Sequence, residues 1–334
     1  MKKNFYASFF YASLLFFSFY SCKKNDVIPP DNGNSPDFSL DSLKTISSNI
    51  PNARYSDLTF INENTGFAIT QGFIVKATDG GNTWTSINLP VSTPLKKIQF
   101  TDSQTGYIIG GDNNYGILLK TTNGGQNWTV NNLNSLECPY GMYFLNNNTG
   151  FITGKNLFIK TTDGGQTWRS LKSNAFRMFQ DINFRNNNEG YITSNTGVYF
   201  KTTNGGNSWD SLRYNSANYL YDIYSIGNKI LVVKSSDSLI DLKNNYSLTI
   251  KPYSADKLLF FSPEKCIGIG SHYEQGFYPY GDIFITNNGW TTYIQKTFPI
   301  VEAIGFSAIA KMNENKAMIL GGGLLGTKVM ILNR

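Results

Sequence analysis

Short apolar runs separated by turn-forming clusters dominate the chain, the pattern of many brief strands and of an all-β domain. The turns are repetitive. Lys160-Thr161-Thr162-Asp163-Gly164-Gly165-Gln166-Thr167-Trp168 has near-copies ending at Trp84, Trp128 and Trp209, with Asp79, Asn123 and Asn204 in the place of Asp163. Asp-Gly or Asn-Gly between β-prone runs signals a hairpin, because a tight turn needs residues that accept positive φ. The tryptophan opens the strand after the turn, and one hairpin alone cannot cover so large a ring.

Two more strands stand upstream of each hairpin. An apolar strand ending at Phe60, Phe100, Phe144 or Phe184 is followed by a turn, then by a second strand opening with Gly66-Phe67, Gly106-Tyr107, Gly150-Phe151 or Gly190-Tyr191. The unit recurs about every 40 residues, the period of a four-stranded propeller blade. Fainter units follow at Asp222-Ile223, Leu259-Phe260 and Ala308-Ile309, for seven in all. One has a degraded hairpin from Asp241 to Leu248, with Leu248 in the tryptophan place, and the next reads as a weaker copy, Thr286-Asn287-Asn288-Gly289-Trp290.

The pattern predicts a seven-bladed β-propeller of four-stranded antiparallel blades over residues 38–334. The last unit ends at Leu332 without an outer strand, whereas Leu43-Lys44-Thr45-Ile46 has no inner strands of its own. The N-terminal strand is therefore expected to join the last blade, closing the ring and removing an exposed edge.

Residues 1–21 read as a signal peptide: Lys2 and Lys3, then an apolar run to Tyr20. Ser21 before Cys22 resembles a bacterial lipobox, which implies lipidation of Cys22, followed by a polar tether over residues 22–37. This arrangement, with its abundance of Asn, Tyr, Phe, Lys and Ile, resembles exported lipoproteins of Bacteroidota. The expected location is the cell envelope, at the outer membrane or cell surface, with the membrane as a partner through the lipid.

Composition narrows the function. The formal charge is +6, with no basic run and with Lys2 and Lys3 inside the expected leader, so nucleic acid is not an expected partner. Cys138 and Cys266 fall three blades apart and are expected as free thiols. No metal-ligand spacing, phosphate-binding glycine loop or nucleophile elbow is present, and no cofactor or metal is expected.

The run Thr-x-Asp-Gly-Gly-x-Thr-Trp is similar to the Asp-box, or BNR repeat, of sialidases, other glycoside hydrolases and non-enzymatic propellers. With the preceding Lys-Thr-Thr and the upstream Gly-aromatic pairs, the chain most resembles the photosystem II stability and assembly factor-like propellers. In those families the box turn lies at the blade periphery, away from the binding face. The resemblance therefore makes Asp79, Trp84, Asn123, Trp128, Asp163, Trp168, Asn204, Trp209 and Trp290 structural residues. A sialidase reading would need an arginine triad, a tyrosine nucleophile and an Arg-Ile-Pro opening, and the last is absent from this sequence. No catalytic residue is assigned.

In a four-stranded blade, the turn between second and third strands shares a face with the links from blade to blade. Two such turns are enlarged, Gly110–Gly116 with Tyr115, and Ser271–Gly281 with His272, Tyr273, Phe277, Tyr278 and Tyr280. The links add Tyr140, Arg177, Arg213 and Tyr214, beside Tyr219 and Tyr221. Tyrosine and arginine on loops of a rigid scaffold suit recognition, and they equally suit packing of the links over the blade ends. Two functions follow: a monomeric, membrane-anchored, non-enzymatic binding or assembly propeller that holds a protein or glycan on this face, or an exported glycoside hydrolase with Glu274 and Asp112 as its loop acids.

Overall fold

The computed structural model describes residues 37–89, 91–112, 115–133, 138–171, 178–214, 219–234, 238–243, 246–249, 255–274, 278–298, 305–322 and 326–334. The expected leader, Cys22 and the tether up to residue 36 lie outside these residues, as do Arg177, Phe277 and the side chains of His272, Tyr273, Glu274 and Tyr278.

Seven four-stranded antiparallel sheets form the domain. Blade one runs Asp57–Phe60, Gly66–Ile69, Ile74–Ala77 and Thr85–Ile87, from inner to outer strand. Blades two to six repeat this order from inner strands that begin at Leu95, Pro139, Phe179, Leu220 and Ala255. Blade seven combines Gly305–Asn313, Lys316–Gly322 and Lys328–Asn333 with the N-terminal strand Leu43–Ile46, which sets Leu43 opposite Leu332 and Ile46 opposite Val329. Just upstream, buried Phe38 packs at 4.5 Å on Phe261. Its backbone exchanges two hydrogen bonds with the Asn287 side chain, at 3.1 and 3.0 Å.

Second strands are buried on both faces, as in Gly106–Gly111, whereas outer strands such as Asp210–Arg213 are exposed. The glycine that opens the second strand exists because the last inner-strand phenylalanine lies across it. A Cβ on Gly106 would stand 2.7 Å from the Phe100 ring.

The repeated hairpin is a small hydrogen-bonded cage. Asp163 accepts from the Thr167 amide at 2.9 Å and the Thr167 hydroxyl at 2.5 Å, while the Thr161 hydroxyl accepts from the Gly165 amide at 2.9 Å. Those bonds, the Thr167 hydroxyl foremost, hold the Asp163 carboxyl at about 2. Asn204 substitutes without loss: its Oδ1 accepts from the Ser208 amide at 3.0 Å and its Nδ2 donates to the Ser208 hydroxyl at 2.8 Å. Gly164 and Gly205 donate to Asn148 and Asn188 carbonyls at 2.8 and 2.9 Å, which ties each hairpin to the first turn of its own blade.

The box hairpins also fasten blades two, three and four to the blade before. Lys76, Lys120 and Lys160 donate to the carbonyls of Gly124, Gly164 and Gly205 in the next blade, at 2.8, 2.8 and 3.1 Å. Each ammonium lies 5.2–5.5 Å from the ring centre of Phe67, Tyr107 or Phe151. Phe67 and Phe151 also press on the second box glycine, where a Cβ on Gly125 or Gly206 would meet the ring at 2.4 or 2.3 Å, whereas Gly165 meets Leu118 at 2.6 Å. Trp128 stands edge-on to Phe67 and Phe100, at 6.5 and 6.0 Å between centres.

Two hairpins differ from the sequence reading. In blade six the Thr286 hydroxyl accepts from the Trp290 amide at 3.0 Å, the role of the second glycine, and Asn288 accepts from Thr292 at 2.9 Å. Trp290 thus occupies the second-glycine position at φ +69°, and Tyr293 stands where the box tryptophan would be. Blade five presents Leu231 where blades one to four present an aromatic ring, and the larger Trp290 joins the same core cluster. In blade five, Leu248 lies opposite Leu239 within the outer strand, past a turn from Asp241 to Tyr246 that is too short to hold a box.

Gly125→Ala, which combines φ +73° with the Phe67 clash, is expected to cost about 2–4 kcal/mol, whereas Gly322→Ala, with nothing within 4 Å, stays within about 0.5 kcal/mol. Urea midpoints decide it, and equal shifts would reject the docking role of the second glycine. Deleting residues 1–46 removes buried Phe38 and three partly buried apolar residues, Leu40, Leu43 and Ile46, and is expected to cost about 5 kcal/mol. It also bares the edge of Lys328–Asn333, so the melting temperature should fall and light scattering rise.

Candidate functional site

Antiparallel order sends the blade links and the turns between second and third strands to one face, the link face, and the box hairpins to the other. Inner strands begin at the link face. Six of them carry an irregular register there, between Leu95 and Lys97, Pro139 and Gly141, Phe179 and Ile182, Leu220 and Ile223, Ala255 and Lys257, and Phe306 and Ala308. A bulge re-aims the side chains at its step, and Lys97, Asp181, Asp222 and Lys257 stand at these irregular steps at the channel mouth, with Asp57 at the corresponding position of the regular blade-one strand.

These residues engage one another around the channel. Lys97 of blade two is ion-paired and hydrogen-bonded to Asp181 of blade four. Asp181 also accepts from the Ile223 amide of blade five at 3.4 Å. Lys257 of blade six stands 3.9 Å from Asp57 of blade one and donates to the Ser56 carbonyl. Asp57 accepts from the Ile98 amide of blade two at 3.0 Å. Blade three contributes only Gly141, where a Cβ would stand 2.4 Å from Thr153 Oγ1 and 3.0 Å from Asp181 Cα. That missing side chain lets Lys97 reach across blade three.

Charge in the ring is unevenly shared. Burial works against the Lys97 ammonium, but Asp181, Asp222 and Asp57 outweigh it and hold its pKa above the ordinary lysine range. Burial raises the Asp181 carboxyl; Lys97 opposes the rise and Asp222 adds to it. At the rim, burial likewise raises Asp256, whose bond to Ser271 at 3.4 Å pulls the other way. Among the described residues, no group of three or more His, Cys, Asp or Glu side chains could hold a metal ion.

Aromatic residues surround this mouth. Tyr219 and Tyr221 stack at 6.2 Å with 20° between planes and are 50% and 41% exposed. Tyr115, in the blade-two turn, is 41% exposed, and Arg213 is exposed. Tyr214 is half-buried against the blade-five core, Tyr140 lies half-buried with Lys96 Nζ 4.8 Å from its ring centre, and Phe179 is fully internal. The link-face aromatics thus divide between recognition and packing. The enlarged turn of blade six is a continuation of its ladder, with His272 opposite Tyr280 and Glu274 opposite Tyr278. That hairpin runs three residue pairs past the blade-two hairpin, about 10 Å at the rise of a strand.

Sequence reasoning missed the charged ring, although its signal is present. Asp57, Lys97, Gly141, Asp181, Asp222 and Lys257 stand immediately before the inner-strand residues Leu58, Ile98, Met142, Ile182, Ile223 and Leu258. On the opposite face, a cavity of 1150 Å³ opens among the first turns of blades two to four, lined by Asp102, Asn147, Asn148, Asn187, Asn188 and Glu189.

The profile of the photosynthesis system II assembly factor YCF48 family matches residues 40–138 and 129–220. No curated sequence matches the chain. Among solved structures, a YCF48 bound to D1 peptide is 18% identical, with 89% of this chain and 98% of that one covered at a TM-score of 0.66. YCF48 from Cyanidioschyzon merolae is 14% identical, over 88% and 98%, at 0.62. The GH74 xyloglucanase from Xanthomonas campestris is 10% identical, over 84% and 52%, at 0.63.

Lys97→Met leaves Asp181 buried without its cation and is expected to cost about 3–5 kcal/mol, most of which returns in Lys97→Met/Asp181→Asn. Denaturant midpoints of the two variants test the pairing; equal losses in both would reject it.

Proposed function

Because the chain belongs to the photosynthesis system II assembly factor YCF48 family, we propose that it is a non-enzymatic binding propeller that captures a polypeptide on its link face. It is exported and held at a membrane of the cell envelope by lipid on Cys22. The observation that carries the reading is the exposed Tyr115, Tyr219 and Tyr221 around a channel mouth whose Lys97–Asp181 pair is already internally engaged. Tyrosines offer large, rigid contact area at small entropic cost, and rigid aromatic anchors dominate interfaces. The relative bound to D1 peptide supports a polypeptide as the occupant. For this chain the reading extends to a protein partner, and it includes no photosynthetic role.

A glycan on the same face is the second reading, supported by the fold shared with a xyloglucanase. The test is capture from envelope extract by the immobilised full-length protein, beside a Tyr115→Ser/Tyr219→Ser/Tyr221→Ser variant. A polypeptide recovered by wild type and reduced about tenfold or more in the variant, at unchanged melting temperature, is expected for anchors of this kind. Undiminished capture rejects the site, and trimmed glycans in place of a bound polypeptide would move the case to a hydrolase.

A further inference from the structure

We infer that Lys96 and Cys138 form an oxidant-driven covalent cross-link, with one oxygen atom between Nζ and Sγ, that joins blades two and three at the link face. Lys96 is the residue displaced by the bulge between Leu95 and Lys97. Cys138 immediately precedes the inner strand of blade three and is a free, buried thiol. Nζ and Sγ are 2.6 Å apart. That is below the ~2.7–3.2 Å of an N–H···O bond, although sulfur is the larger acceptor. It is too long for a direct nitrogen–sulfur bond and fits a single interposed oxygen.

The surroundings hold the two groups together. The Lys96 amine lies 4.8 Å from the Tyr140 ring centre, and the thiol's further contact is the Gly111 carbonyl at 3.7 Å. Cys266, the other free cysteine among the described residues, lies in blade six and so does not compete as a disulfide partner. Oxidation of a thiol with a nucleophile in contact is captured as a new covalent bond before it proceeds to higher acids.

The oxidant is dioxygen. The ammonium first gives its extra proton to solvent. The thiol and the neutral amine then lose one hydrogen each as S–O and O–N bonds form to one oxygen atom, and the other oxygen leaves as water. Sulfur and nitrogen give up two electrons each, which together reduce one dioxygen. The product removes the cation from the face of Tyr140 and pins the starts of two neighbouring inner strands.

The test is intact-mass measurement and tryptic mapping of the reduced, purified full-length protein before and after exposure to air. The expected result is a gain of about 14 Da with the Lys96 and Cys138 peptides joined, reversed by dithiothreitol. The adduct should vanish in Lys96→Arg and in Cys138→Ser, each checked for an unchanged melting temperature, and persist in Cys266→Ser. Three results would overturn it: oxygen gained on Cys138 while trypsin still cleaves after Lys96, a direct nitrogen–sulfur bond with loss of about 2 Da, or an unchanged mass.

Discussion

The fold depends on one contact made repeatedly: the second glycine of a box hairpin lying against an apolar side chain of the preceding blade, Met318, Phe67, Leu118 or Phe151. The missing Cβ brings the backbone within reach of the Lys76, Lys120 and Lys160 ammonium groups, whose bonds satisfy box carbonyls. The same approach sets the box tryptophan edge-on to rings from two blades. Acid, threonine and first glycine shape the turn, so the motif's apparent chemistry is geometry. An asparagine serves as well as an aspartate because the cage needs an oxygen acceptor and no charge.

This contact explains what was legible in the sequence. Blade number, strand order and ring closure could be read because each rests on residues that recur at fixed offsets, Gly106 under Phe100 as much as Gly165 in its turn. Trp290 was misplaced because sequence shows which residue follows Gly289 and not which amide the Thr286 hydroxyl binds. Its position becomes intelligible only with Leu231, a residue far upstream that leaves room for it. The charged ring was written immediately before Leu58, Ile98, Met142, Ile182, Ile223 and Leu258, but mixed signs and a glycine concealed the location these positions share at the start of the inner strands. The exposed tyrosines could be nominated from the links, whereas their division from Tyr214 and Tyr140 is a matter of packing.

The two faces carry different constraints. On the box face the turns are bound to their own blade and to the one before, so their residues are committed to architecture. On the link face the inner strands converge, and the Lys97–Asp181 and Lys257–Asp57 pairs meet most of one another's charge. Lys97 passes over blade three to reach blade four, so coupling between blades is not limited to nearest neighbours.

The clasp at Phe38 gives the ring a mechanical order. A pull on the chain ahead of residue 37 reaches the Phe38–Asn287 bonds and the Phe38–Phe261 contact before it reaches the Leu43–Ile46 ladder. The load therefore enters blade six as well as blade seven, and a buried ring must be extracted before the closing strand can peel. Tension at the amino terminus is borne by a side-chain anchor first and by the seam of the ring second, which separates the strength of attachment from the integrity of the fold.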